Sequence, residues 1–283
     1  MADQAAARLT STGIEIPLLG GDVTEGVVRV GDTVRRPGQP WSGAVAGYLT
    51  HLARVGFDAA PRWLGVDDRG RDVLDYVDGA VPGQPPEPWA STDRVLADVA
   101  RLLRRLHDAS APYRPPPDAA WFGSDQPSSV PADLPALFEQ PELVSHCDLT
   151  PQNVVFRGGR PVALIDFDLT RPTTRLADLT NTATWWVPLL PPGSDRCAIH
   201  TGAPAAARLR LFVDAYGLDR AGRAELVDLA IRMMRRRWYS MRANAEQRGG
   251  GWARMWSDGL GDRIRDREAW LIDHSGPLTA ALF

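Results

Sequence analysis

Over its first eighty residues the chain carries short apolar runs rather than long helical stripes. Ile14 to Leu19, Gly26 to Val30 and Thr33 to Arg36 cluster or alternate as strands do, and Gly31-Asp32 forms a tight turn between VVRV and TVRR. From Pro40-Trp41-Ser42 to about Val55 the pattern becomes helical, with Val45, Tyr48, Leu49 and Leu52 on one face. Arg62 to Gly65 and Val73 to Val77 read as two further strands around the polar turn DDRGRD. From Thr92, Val95, Val99, Leu102, Leu103 and Leu106 recur at helical spacing, with Asp93 favourably placed against the helix dipole and His107 packed near the end.

Residues 111–141 contain eight prolines, which excludes regular structure throughout. Within them Trp121 and Phe122 either fold over a substrate or anchor the segment to the core. Val154 to Phe156 and Val162 to Ile165 are apolar β-formers joined by Gly158-Gly159, the pattern of a hairpin. From Ala203 onward three helices are expected, Ala205 to Tyr216, Arg223 to about Gln247, and Trp252 to about His274, with Gly249-Gly250-Gly251 parting the last two. Residues 1–12 read as a tail.

The hairpin places particular chemistry together. His146, Asp148 and Asn153 stand in the spacing H-x-D-x-x-x-x-N before its first strand, and Asp166 ends its second. Phosphoryl transfer needs one carboxylate to orient the attacking hydroxyl, and an amide and a second carboxylate to hold Mg2+ on the phosphates. Asp148 fits the first role, and Asn153 and Asp166, at opposite ends of the hairpin, fit the second. His146 is expected to brace the loop, and Cys147 to pack beneath it.

HCDLTPQN and IDFD resemble the catalytic loop and metal-binding motif of the aminoglycoside phosphotransferase family, small-molecule kinases with the protein-kinase-like fold. Asp168, where a protein kinase has the glycine of D-F-G, favours the small-molecule branch, and Asp178-Leu179 is a further match in which the acid is structural. The resemblance implies an α+β, two-lobed fold: a small antiparallel β lobe over residues 1–77 and a larger, mainly helical lobe over 78–283. It implies ATP or GTP with Mg2+ as cofactors and a small-molecule hydroxyl as acceptor. It makes Asp75, Tyr76 and Val77 part of an inter-lobe hinge whose backbone meets a purine edge. It also puts a phosphate-binding cation at the end of the third strand, the position of Arg35. Gly20, Gly21 and Asp22 precede the second strand as the candidate nucleotide loop, since glycine lets backbone amides approach phosphates; the same pair of glycines also suits a plain turn.

Composition alters this picture at one point. All 32 basic residues are arginine, so no lysine can pair with the α- and β-phosphates and no Walker A motif exists. Nor does any acidic residue lie between Gly38 and Gly56, where the kinase helix offers a glutamate to that lysine. These two departures keep open a second reading, a nucleotide-binding protein of this fold without turnover.

The remaining composition excludes other classes. The five histidines are scattered with no H-x-x-x-H pair, and no G-x-S-x-G elbow occurs. No stretch approaches the ~18 apolar residues of a membrane span. The start MADQAAARLTSTG has no secretory h-region, and Cys147 and Cys197 read as free thiols, so a cytoplasmic protein is expected, monomeric or weakly dimeric. Arg235-Arg236-Arg237 reads as a solvated helix face rather than a nucleic-acid surface. Residues 220–283 nevertheless carry 12 arginines against 8 acids, an excess of four. Trp185, Trp186, Trp238, Tyr239, Trp252 and Trp256 supply aromatic surface. A pocket of that kind does not suit a polycation.

Overall fold

The computed structural model describes residues 8–9, 13–18, 24–124, 129–199 and 201–283. The chain starts with β1 (Arg8–Leu9), β2 (Ile16–Pro17), β3 (Val28–Val30), β4 (Thr33–Arg36), β5 (Trp63–Asp67) and β6 (Asp72–Asp75), which form one sheet in the order β1-β5-β6-β4-β3-β2. Its pairings are antiparallel except at the edge, where β1, within the stretch expected to be a tail, runs parallel to β5. Between β4 and β5 lies α1 (Ser42–Arg54), whose buried Tyr48, Leu49 and Leu52 belong to the main core.

A hinge leads from β6 to the helical part. At Gly79 the chain passes so close to the following hairpin that a Cβ would fall 2.5 Å from Val155 Cγ1 and 2.7 Å from the Phe156 carbonyl oxygen. Its φ of +149° is a further reason for glycine there. Next come α2 (Asp93–Ser110), β7 (Leu143–Ser145), β8 (Val154–Arg157), β9 (Arg160–Leu164), β10 (Arg171–Thr173) and α3 (Arg175–Trp186). The last four helices are α4 (Ala205–Tyr216), α5 (Arg220–Arg248), α6 (Gly250–Ser257) and α7 (Leu260–Ala281). Thr92 caps α2 by accepting from the Val95 amide, and Asp219 caps α5 by accepting from Gly222.

The C-terminal helix expected from Trp252 to His274 is two helices. Gly259, at φ +85°, turns the chain between α6 and α7, as left-handed glycines do at helix ends. Its successor then runs past Pro277, which forfeits one backbone hydrogen bond close to the helix end. The proline-rich segment is anchored rather than loose. Trp121 enters the core, while Phe122 stacks on Trp252 at 5.6 Å and meets Trp41 edge-on at 5.2 Å.

Arg208 on α4 is 2% exposed and bolts three elements together. Its guanidinium donates to the carbonyls of Val187, Trp186 and Ser91 and to the Asp93 carboxylate, tying the end of α3 to the start of α2. Replacement by alanine strands three carbonyl oxygens. Arg208→Ala is expected to cost about 3 kcal/mol, read as a lower urea midpoint at unchanged m; a loss below about 1 kcal/mol would contradict this role.

Candidate active site

The catalytic segment is held by hydrogen bonds that run beneath it. Asp178, buried on α3, accepts from His107 Nε2 at 3.1 Å and from Ser145 Oγ at 2.6 Å, and His107 Nδ1 meets the Tyr216 hydroxyl at 2.7 Å. Burial opposes ionisation of Asp178, but the bonds from His107 and Ser145 outweigh it and lower its pKa. His107 is thus a packed, structural histidine, and α2, α3, α4 and β7 meet at one point.

Above this base the chain turns sharply. Among the described residues only Cys147 (φ +60°) and Asp166 (φ +66°) are non-glycines in the left-handed region. Such a conformation costs roughly 1–2 kcal/mol per residue and persists only where its surroundings enforce it. Asn181 Nδ2 enforces the first by donating to the Cys147 carbonyl at 2.9 Å. Burial pushes the Cys147 thiol up to about 12, which suits an inert packed residue.

His146 joins the two halves of the site. Its Nε2 donates to the Ile165 carbonyl at 2.8 Å, and its Nδ1 accepts from the Asp148 amide at 3.2 Å, a pair of bonds that selects the neutral Nε2–H tautomer. One imidazole therefore fixes the backbone of Asp148 relative to the residue before Asp166. The hairpin does the same for Asn153: β8 and β9 pair antiparallel, and Ile165 N–H donates to the Asn153 carbonyl at 2.9 Å. Asn153 Nδ2 donates to the backbone oxygen of Asp148 at 2.8 Å and to its carboxylate at 3.1 Å, leaving Oδ1 as the ligand atom of the amide. Burial pushes the Asp148 carboxyl up to about 6; Asp166 adds to the rise, while Arg237 and Arg171 pull against it.

Asp166 meets a cation from the sheet, but not from the expected position. Arg35 is buried on the far face of β4, where Nη1 donates to Thr33 Oγ1 at 2.7 Å and Nε lies 3.7 Å from Asp67. Its neighbour Arg36 points into the cleft and bonds Asp166 Oδ1 at 2.9 Å and Asp168 Oδ2. Side chains alternate along a strand, so the shift by one residue reverses the face. The assignment of the cleft cation to Arg35 is corrected to Arg36. Burial disfavours charge on all three groups; Arg36 nonetheless holds Asp166 low, while Asp168, sharing that guanidinium beside a second carboxylate, is pushed up. The acid missing from α1 is matched from the sheet itself, since Asp72 on β6 is the cross-strand partner of Arg36 and helps keep its pKa raised. Asp72 is in turn bonded by Ser42 Oγ and by Trp63 Nε1 at 3.1 Å.

Gly20, Gly21 and Asp22 lie outside the described residues. Thr24, just after them, donates to Asp168 Oδ2 at 3.0 Å, so the chain beyond that loop reaches the same carboxylate as Arg36. Asp75, Tyr76 and Val77, expected as a hinge, line a cavity of about 300 Å³ together with Phe57, Arg62 and Ala163. The Tyr76 amide is committed to the Asp32 carbonyl at 2.8 Å, and the Arg29 guanidinium lies 3.8 Å over its ring.

Two oxygen donors, Asn153 Oδ1 and the Asp166 carboxylate, fit Mg2+, which takes few protein ligands and fills its octahedron with water and phosphate oxygens. Consistent with so sparse a set, the described residues contain no cluster of three or more histidine, cysteine, aspartate or glutamate side chains suited to a metal. Arg237 from α5 acts on Asp148 through its charge, and Arg267 from α7 lies close to Arg237, whereas the sequence placed the Arg235-Arg236-Arg237 run on a solvated helix face. Their signal was the charge excess of the last helices, but that count does not say which arginines turn inward.

A model of the phosphotransferase enzyme family matches residues 120–226. Trifolitoxin immunity protein of Rhizobium leguminosarum bv. trifolii is 32% identical over 289 residues, covering 95% of this chain and 98% of that protein. A choline/ethanolamine kinase family protein from Mesorhizobium loti superposes with a TM-score of 0.61 at 20% identity, covering 96% of this chain and 92% of the other. The amicoumacin kinase hAmiN, in complex with AMP-PNP, Ca2+ and Ami, gives 0.56 at 13% identity over 88% and 86%. At these identities the two structures speak to the fold, while the full-length relative and the family model over the catalytic segment speak to descent. The chain belongs to the phosphotransferase enzyme family, small-molecule kinases with the protein-kinase-like fold.

Proposed function

We propose that this protein transfers the γ-phosphoryl group of ATP or GTP, with Mg2+, to a hydroxyl of a small molecule. The observation that carries the reading is the His146 brace, which sets Asp148 beside Asn153 and on the same scaffold as Asp166. In the step, Asp148 orients the acceptor hydroxyl and takes its proton. The acceptor oxygen forms a bond to the γ-phosphorus as the bond to the β-bridging oxygen breaks, and the nucleoside diphosphate leaves. Asn153 Oδ1 and Asp166 would hold Mg2+, which supplies charge neutralisation on the phosphates when bound. Arg36 takes the part of the absent lysine toward the phosphates, moving from a carboxylate-only contact to one shared with the nucleotide.

Residues 1–77 would carry the nucleotide, with the hinge at Asp75–Val77 against the purine, and 78–283 would carry the acceptor. The toxin immunity in the name of the Rhizobium relative, and the amicoumacin kinase activity in the name of one fold neighbour, fit a role in inactivating a toxic small molecule by phosphorylation. No described helix is long and apolar enough to cross a membrane. Action in the cytoplasm, where nucleotide is supplied, agrees with two free thiols.

One observation favours the second reading, nucleotide binding without turnover: Arg36 engages both Asp166 and Asp168. The two readings separate in a γ-phosphoryl transfer assay over hydroxylated metabolites and antibiotics, run beside nucleotide binding. Transfer supports the first; binding with neither transfer nor nucleotide hydrolysis supports the second. Given an active acceptor, Asp148→Asn is expected to lower kcat about 10²- to 10⁴-fold at little change in fold stability. Unchanged kcat would remove Asp148 from the chemistry.

In the free enzyme kcat/KM should fall below a pH of about 6 with unit slope as Asp148 takes up a proton, because its raised pKa is the acidic limit of the reactive carboxylate. A flat profile down to about pH 4 would contradict that environment. Arg36→Gln should weaken nucleotide binding by about tenfold or more, a loss of roughly 1.4 kcal/mol. Arg35→Gln should instead lower thermal stability and leave nucleotide affinity within about threefold. The reverse outcome would restore Arg35 as the phosphate cation.

A further inference from the structure

Cations gather near Asp148: Arg237 and Arg171 act on its carboxylate, and Arg267 acts on Arg237. Arg237 bonds Asn181 Oδ1, and the other end of the same amide holds the Cys147 carbonyl, so this guanidinium is two hydrogen bonds from the residue preceding Asp148. Arg267 lies 4.7 Å from the centre of the Trp185 ring and Arg237 5.9 Å from it, so one indole lies beneath both. Asp195 neutralises Arg267 at 3.3 Å. Arg237 has no carboxylate within ion-pair distance among the described residues, although Asp148 and Asp195 act on it from further off. Burial, with Arg267 and Arg171 nearby, pushes its pKa down to about 10, a guanidinium short of counter-charge. The buried Trp185 Nε1 also meets no acceptor among the described residues. Arg237, which acts on Asp148, and the Trp185 indole in contact with it are therefore two donor groups under-supplied with acceptors.

The other arginines of this region are spent differently. Arg235 pairs with Glu268 at 2.6 Å, and Arg236 donates to the carbonyls of Leu134 and Pro135. Arg232 and Arg242 make i,i+4 pairs with Asp228 and Glu246 along α5. The charge excess thus reduces to a local one facing Asp148. A protonated amine would meet the field of Arg237, Arg267 and Arg171 against Asp148 and Asp195. An oxyanion would meet a planar fork of donors suited to bind it bidentately.

Resting on the phosphotransferase reading, we propose that the acceptor is anionic: a hydroxylated molecule whose carboxylate or phosphate is held by Arg237, with the Trp185 indole N–H beside it, while its hydroxyl is presented to Asp148. Amino alcohols are the excluded class.

The test measures binding apart from turnover. The full chain with AMP-PNP is titrated calorimetrically with 3-hydroxypropanoate and with glycerol 3-phosphate as the two oxyanion sources, and with 3-aminopropan-1-ol as the matched cation. At least one anion should bind about tenfold or more tightly than the amine. Which anion does so identifies the source. Arg237→Gln should erase that preference to within about twofold, Arg237→Lys should retain part of it, and Arg235→Gln, on the same helix but paired with Glu268, should leave it intact. Tighter binding of the amine, or no saturable binding of either anion, overturns the proposal. So does a uniform loss of AMP-PNP affinity in Arg237→Gln with the anion preference intact, which would put Arg237 on the nucleotide. Anion binding without phosphoryl transfer would leave the pocket's selectivity standing and remove the turnover instead.

Discussion

Arg36 on two carboxylates is the contact on which the two halves of this site depend. It is the cleft-facing end of β4 reaching Asp166 and Asp168, residues that follow the β8–β9 hairpin by two and four positions. A buried guanidinium beside one acid is already constrained; here two acids share it, a third lies across the sheet at Asp72, and Thr24 adds a hydroxyl to Asp168. The sheet's position over the hairpin is thereby set by charge as much as by packing. The carboxylate proposed to receive a metal, that of Asp166, has its pKa held low by the same cation. A kinase with a lysine would use a helix acid to orient it. This chain has no lysine and no acid on α1; in the proposed reading Arg36 is the cation, its carboxylates drawn from Asp72 across the sheet and from Asp166 and Asp168.

The catalytic loop was legible because its chemistry and its geometry are local. Asp148, Asn153 and Asp166 fall within 19 positions, and the Gly158-Gly159 turn between β-formers leaves few ways to arrange them. Arg35 and Arg36 were not separable in the same way. Adjacent positions in a strand face opposite sides, and which side meets the cleft is decided by pairing with β6 some forty residues later. The helix α3 left little periodic signal for a related reason. From Ala177 to Thr184 every residue is buried, so no polar stripe marks its outer face. The helix read from Trp252 to His274 ran through Gly259, whose left-handed conformation parts α6 from α7. The start of the α2 helix, with one apolar face, one polar face and a threonine cap, was read within a residue.

Charge counting carried a partial truth. The surplus of arginine in the last sixty residues is mostly spent on surface pairs along α5 and on backbone carbonyls, and only tertiary packing reveals that Arg237 comes near Asp148 with Arg267 beside it. Aromatic residues follow the same rule. Phe122 and Trp252 bind the proline-rich segment to the start of α1 through Trp41, a structural use, whereas Trp185 sits against the inward arginines. The fold is thus a shared kinase scaffold.

The account turns on Asp166 serving a cation from the protein and a metal from solution at once. Calorimetric titration of the wild-type protein and of Asp166→Asn with AMP-PNP, each with and without Mg2+, tests this directly. Wild-type affinity should rise by about tenfold or more on adding Mg2+, and the asparagine variant, having lost the charge but kept the shape, should show almost none of that gain. Binding that ignores Mg2+ in the wild-type protein, or a gain of equal size in the variant, would contradict it.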